Sequence, residues 1–161
     1  MARMWSYVPS RQPDPCAEII EHGRIMHDDV AEAIRLARAD GQAGDLDASE
    51  SRMTRALRAL RERRVEINAM AAQYRAGVQI ERTEINKRGR AVGHLVGRSG
   101  FGSALRGGME RGRGRARARL AQEEADVRVE FEKLKLALDD LVLEVRREID
   151  YIKEARAERR R

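Results

Sequence analysis

The chain has 161 residues, of which 37% are charged and only 4% aromatic, with three prolines and a net charge of +6. That supplies too few large rings for a compact globular core and suits long helices that bury a narrow stripe, so the expected class is all-α. One cysteine, Cys16, excludes an internal disulfide and a zinc site built on paired thiols, and no run approaches the ~20 apolar residues that span a membrane.

The modest net charge conceals a polarity along the chain. Residues 1–47 carry 5 basic and 9 acidic side chains, residues 48–92 carry 11 and 5, residues 93–119 carry 7 and 1, and residues 120–161 carry 10 and 12. A basic middle therefore lies between two acidic arms, a layout that attracts a polyanion or holds like molecules together.

Residues 1–13 read as an irregular arm whose apolar content is Trp5, Tyr7 and Val8. Asp14 before Pro15 is a helix start, an acceptor at the cap and a proline at the first helical position. Ile19, Gly23, Met26, Val30, Ala33 and Ala37 then recur at three- and four-residue steps, which predicts an amphipathic helix over 14–40. Turn formers in DGQAGDLD predict a connection over 41–47, with Asp47 and Glu50 as a capping box for the next helix.

From residue 48 two heptad seams follow. The first runs Met53, Leu57, Leu60, Arg64, Ile67, Ala71, Tyr74, Val78, Glu81, Ile85, and the second Val127, Phe131, Leu134, Leu138, Leu141, Val145, Glu148, Ile152. Four- and three-residue steps alternate throughout, as a coiled-coil seam requires. The expected architecture is a long antiparallel coiled-coil helical hairpin over 48–161, with the shorter N-terminal helix packed at its open end. Arg64 and Glu148 occupy seam positions where charge costs stability and sets register. The closing run KEARAERRR complements the negative end of a helix dipole.

Between the seams lies GRAVGHLVGRSGFGSALRGGMERGRGRARARL, residues 89–120, which holds the Gly/Arg-rich tip at about 89–116. Gly89, Gly93 and Gly97 fall four apart, as do Ala104, Gly108, Gly112 and Ala116. Small residues at that spacing let two helix backbones approach closely. A turn near 100–101 sets the two rows against each other and places Phe101 and Leu105 over the glycines. Each glycine inside a helix costs ~1 kcal/mol relative to alanine, so such a tip needs packing to persist; the competing reading is a flexible loop.

Chemistry is sparse. His22 and His27 are five apart, on different helix faces, and the glycines lack the order of a phosphate loop. No nucleophile has a base at a recognisable spacing, so the expectation is no enzyme, cofactor, metal site or small-molecule substrate. Arg106, Arg111, Arg113, Arg115, Arg117 and Arg119 face one acidic neighbour, Glu110, and form a candidate polyanion site of salt-sensitive, sequence-blind character. The sequence favours a structural or assembly protein that self-associates as a homo-oligomer or in a larger particle, in the cytoplasm or assembled there. Nucleic-acid binding by the arginines is the alternative. A third reading is membrane contact by the apolar residues of the tip.

Overall fold

The computed structural model describes the backbone of residues 14–95 and 100–161, and the side chains of 14–87 and 110–161. The protein is all-helical: α1 spans Pro15–Gln42, α2 Leu46–Leu95 and α3 Gly100–Arg159. At 1.5 Å per residue, α2 is about 75 Å long and α3 about 90 Å. The arm with Trp5, Tyr7 and Val8 lies outside the described residues, as does Gly97.

The start of α1 follows from its cap. Asp14 is extended, its Oδ1 accepts the Cys16 amide at 3.0 Å, and Pro15 fills a position that needs no donor. The end of α1 differs from the expectation by two residues, because the helix continues through Gly41 and stops at Gly44. Gly44 has φ +93, and the Asp45 amide reaches back to the Asp40 carbonyl at 2.9 Å while the Gly44 amide reaches that of Gly41. This is the Schellman arrangement, which needs a left-handed residue.

The cap of α2 is also not the expected one. Asp45, not Asp47, accepts the Ala48 amide at 2.8 Å, and its carbonyl takes the Ser49 amide. Asp45 thus closes α1 and opens α2 in one residue, which shortens the expected 41–47 connection. Asp47 and Glu50 anchor α3 instead, since both pair with its Arg156.

Two glycines make a paired comparison. Gly44 sits in the left-handed region, so Gly44→Ala is expected to destabilise by about 1 kcal/mol. Gly77 lies inside α2, where an added Cβ meets nothing within 4 Å, so Gly77→Ala is expected to stabilise by about as much. Thermal melts that move in the same direction for both would refute this account.

Among the described residues one apolar cluster joins the three helices. Ile19, Met26, Val30, Ile34 and Ala37 come from α1, Met53, Leu60 and Ile67 from α2, and the buried face of α3 runs from Val127 to Ile152. Every named position of the two seams is at least half-buried except Arg64 and Glu81. Ile34 and Ile149 join the core outside the stripes that the sequence spacing marks. Where three helices meet, each is covered over a wider arc than in a two-helix seam, so flanking positions are drawn inside.

Polar contacts fix the relative placement. Arg156 pairs with Asp47, Arg64 with Asp139 at 2.8 Å, and Arg117 with Asn86 at 2.5 Å. From Asp47 to Arg64 to Asn86 along α2, the α3 partner retreats from Arg156 to Asp139 to Arg117, in steps of similar length. The chain senses of α2 and α3 are therefore opposed in these contacts. On the other side, Gly23 lies against Leu134 and Arg38 pairs with Glu148, so α1 advances along α3 in the same sense. Ser49, fully buried, donates its hydroxyl to the Ala37 carbonyl at 2.8 Å and ties the first turn of α2 to α1.

Glu148 shows why a charged seam residue is tolerated. Its side chain is mostly covered, and Arg38 of α1 supplies two donors to its carboxylate. That hydrogen bond and the adjacent negative charge push the Arg38 guanidinium above its ordinary range. Arg64, by contrast, swings out to Asp139 at the surface.

Candidate functional site

Beyond the start of α1, α2 and α3 continue as a pair, and this arm holds the site residues expected from sequence. Val78 and Leu120 are buried here outside the main cluster. Tyr74 donates to the Glu123 carbonyl, and Arg82 pairs with Glu124, so the arm is clasped by polar bridges across a thin apolar seam.

The glycine-rich stretch is helical up to Leu95 and again from Gly100. Gly89 and Gly93 lie in α2, and Phe101, Ala104, Leu105, Arg106 and Gly108 in α3, with side-chain surroundings outside the described residues. At Gly112 the surroundings are described: an added Cβ meets no described atom within 4 Å, and the same holds at Gly114. Gly112 therefore does not mark a close approach between described parts of the protomer.

The arginines divide into two sets. Arg117, itself exposed, reaches Asn86 of α2, and Arg113 is half-buried, with its Nε shielded and without a hydrogen-bond partner among the described residues. Arg111, Arg115 and Arg119 are exposed and fall four residues apart, which aligns them along one outward face. Arg119 also binds Glu123 at 2.7 Å, and this raises its pKa further through the hydrogen bond and then the charge. Of the described arginines only Arg113 is thus drawn in, while Arg111, Arg115 and Arg119 form an outward row.

Elsewhere the chemistry is that of a helix surface. His22 Nδ1 lies 2.9 Å from the Glu18 carbonyl, and His27 lies 3.8 Å from Asp28. Among the described residues no cluster of His, Cys, Asp or Glu is arranged to hold a metal ion, and no helix is long and apolar enough to cross a membrane. One groove between helices, of about 510 Å³, lies between α1 and α3 beside Ile34, Arg35, Arg38 and Glu144. Another, of about 490 Å³, sits at the base among Ala37, Leu46, Ser49, Tyr151, Ile152 and Arg159.

Cys16, at the foot of α1, is half-buried and free. Burial foremost, then the charges of Asp14, Glu130 and Asp126, push its thiol above the ordinary value of 9.0. At pH 8 it is therefore expected to react with iodoacetamide more slowly than in the unfolded chain. Above pH 9 the unfolded thiol ionises first, so this residue's contribution falls as pH rises towards the folded pKa. Equal alkylation rates in folded and denatured protein would contradict this.

Sequence reasoning missed the base. The Arg156 bridge to Asp47 and Glu50, and the Arg159 hydrogen bond to the Gly44 carbonyl, close the ends of α2 and α3 over the α1–α2 turn. A basic run at a helix end satisfies the dipole wherever it lies, and only its nearness in space to the first turn of α2 reveals the clasp. In comparisons with known proteins, the chain matches no family model, no curated protein and no solved structure.

Proposed function

We propose that the protein is a non-enzymatic assembly component: a long antiparallel coiled-coil hairpin, braced at its open end by α1, whose rods associate through helix faces left uncovered in the single chain. The observation that carries this reading is the set of large apolar residues outside the core. Val65, Ile80, Val129, Leu136 and Leu143 are all at least half exposed, on helices whose opposite faces are already packed. The opposed sense of the α2–α3 contacts and the alternation of buried seam positions support the hairpin. A place in a phage, secretion or scaffold particle is an analogy of shape.

The test is size-exclusion chromatography with light scattering at low and high salt, recording absorbance at 260 and 280 nm. A discrete, salt-stable multiple of 18.3 kDa free of excess 260 nm signal is the expected result. A monomer at all concentrations would end this reading. Under it, Gly93→Leu at the tip is expected to reduce the assembled mass and the melting temperature.

A second reading has its own observation, the outward row of Arg111, Arg115 and Arg119. Arginines one turn apart suit successive phosphates of a polyanion, with affinity that falls steeply as salt rises. Reversing Arg115 and Arg119 to glutamate is then expected to lower affinity for duplex DNA and flatten its salt dependence. Unchanged binding would dismiss this row as a nucleic-acid surface.

A further inference from the structure

The outer face of α3 carries three large apolar residues in strict seven-residue steps: Val129, Leu136 and Leu143, at 51%, 65% and 50% exposure. Single exposed leucines are ordinary, but a heptad row about 21 Å long, on the face opposite the buried row, forms a ridge suited to another helix. Among the described residues nothing covers it. Ile20 of α1, also exposed, lies one turn beyond Cys16, which has Asp126, Glu130 and Lys133 of α3 among its charged surroundings.

The charges beside the ridge identify its occupant. On the flank nearer α1 the heptad positions are Asp126, Lys133, Asp140 and Arg147, an alternation of carboxylate and cation. If a second copy lies antiparallel with Leu136 on a two-fold axis, Val129 meets the partner's Leu143. On the same flank Lys133 then meets the partner's Asp140, and Asp126 the partner's Arg147. Every pair on this flank is of opposite sign, and each occurs twice by symmetry. A parallel pairing crosses the flanks instead. It would bring Lys133 towards the partner's Glu132, of opposite sign, but Asp140 towards the partner's Asp139 and Arg147 towards the partner's Arg146, so that two of its three pairs set like beside like.

The remaining local contacts agree. Asp140 and Arg147 form no ion pair with another described residue, so both are available. Asp126 accepts a hydrogen bond from Gln122, and Lys133 holds Glu130 on an exposed, exchangeable contact. On the far flank, Glu132 would face the partner's Asp139, but Lys135 neutralises the first and Arg64 the second within each copy. The two carboxylates and two cations of this flank cancel, which leaves no net attraction to an anionic lipid surface.

We infer that the ridge Val129–Leu136–Leu143 is an isologous contact between two copies of this chain, packed antiparallel through α3 about Leu136. This rests on the self-association proposed above and assigns it a surface and a symmetry. The experiment uses the full chain carrying Cys16→Ser, with single cysteines introduced at each ridge position and oxidative cross-linking read beside light scattering. Leu136→Cys is expected to form a disulfide-linked dimer, because two-fold symmetry brings position 136 to itself. Val129→Cys alone is expected not to, being about 21 Å from its own copy, while Val129→Cys mixed with Leu143→Cys should cross-link.

Leu136→Glu is expected to weaken association at least tenfold with an unchanged helical circular dichroism spectrum, since the site is exposed. Asp140→Lys should weaken it too, and adding Lys133→Asp should restore it. Self-linking of Val129→Cys as readily as of Leu136→Cys would overturn the antiparallel geometry. If the wild type assembles but no ridge cysteine links and Leu136→Glu has no effect, this surface is wrong while the assembly reading stands. A wild type that is monomeric overturns both.

Discussion

Leu138→Ala is expected to lower the stability of the fold by about 2–5 kcal/mol, the range for removing a buried leucine and leaving a cavity. Leu138 is 1% exposed and sits in the cluster to which α1, α2 and α3 all contribute. A gap there cannot close by moving one helix, because α1 is held against α3 on either side of its level, by Gly23 on Leu134 and by Arg38–Glu148, and α2 is held by Arg64–Asp139 beside it. The upper half of the range is therefore expected. Leu136→Ala, two residues away on the outer face, supplies the control: in the monomer its cost should stay below about 0.5 kcal/mol. Denaturant unfolding of both variants at low protein concentration measures the difference. Equal losses would mean that the inward and outward faces of α3 are wrongly assigned.

Much of this pattern is legible in the chain because heptad spacing and helix caps are local. Asp14 and Pro15 announce the start of α1 within two residues, and the seam from Val127 to Ile152 specifies a buried face without knowledge of its partner. What is not legible depends on neighbours distant in sequence. Asp45 and Asp47 are equally good caps by residue type. The left-handed Gly44 and the pull of Arg156 on Asp47 decide between them. Likewise Glu148 reads as a costly seam charge until Arg38 is seen 110 positions away, bound to it.

The candidate surface is harder to read for the same reason. Arginines at alternate positions give no preferred face, and only the structure shows that Arg113 is drawn in and that Arg117 reaches across to Asn86. The ridge on α3 is hidden in the sequence because the core seam is stronger and of the same period. Once the core face is known, the second heptad row stands opposite it.

Val30→Asp is the second substitution with a large expected effect, and it asks whether α1 is a brace or an ornament. Val30 is 4% exposed within the shared cluster, near Met26 and Leu60. A groove between α1 and α2 runs past Val30, and its arginines are already engaged, Arg52 with Asp40, Arg63 with Glu66 and Arg55 with the Ser51 carbonyl, while Asp29 adds a like charge. Burying a carboxylate there without a dedicated partner costs several kcal/mol, more than α1 gains from one turn of packing. The expected result is release of α1, read as loss of amide protection from Ile19 to Ala37, with aggregation or lower helicity as Leu134 and Leu60 lose their cover. The pH dependence has a definite sign. Burial raises the pKa of an aspartic acid, so the neutral form is the one the folded state accepts. Relative to wild type at the same pH, the variant should be least impaired below the unfolded value near ~3.9 and lose ground as pH rises through the folded value. A deficit that stays constant from pH 4 to pH 7 would show that the cost is one of shape and not of charge, and that the groove over Val30 is open to water or to one of its arginines.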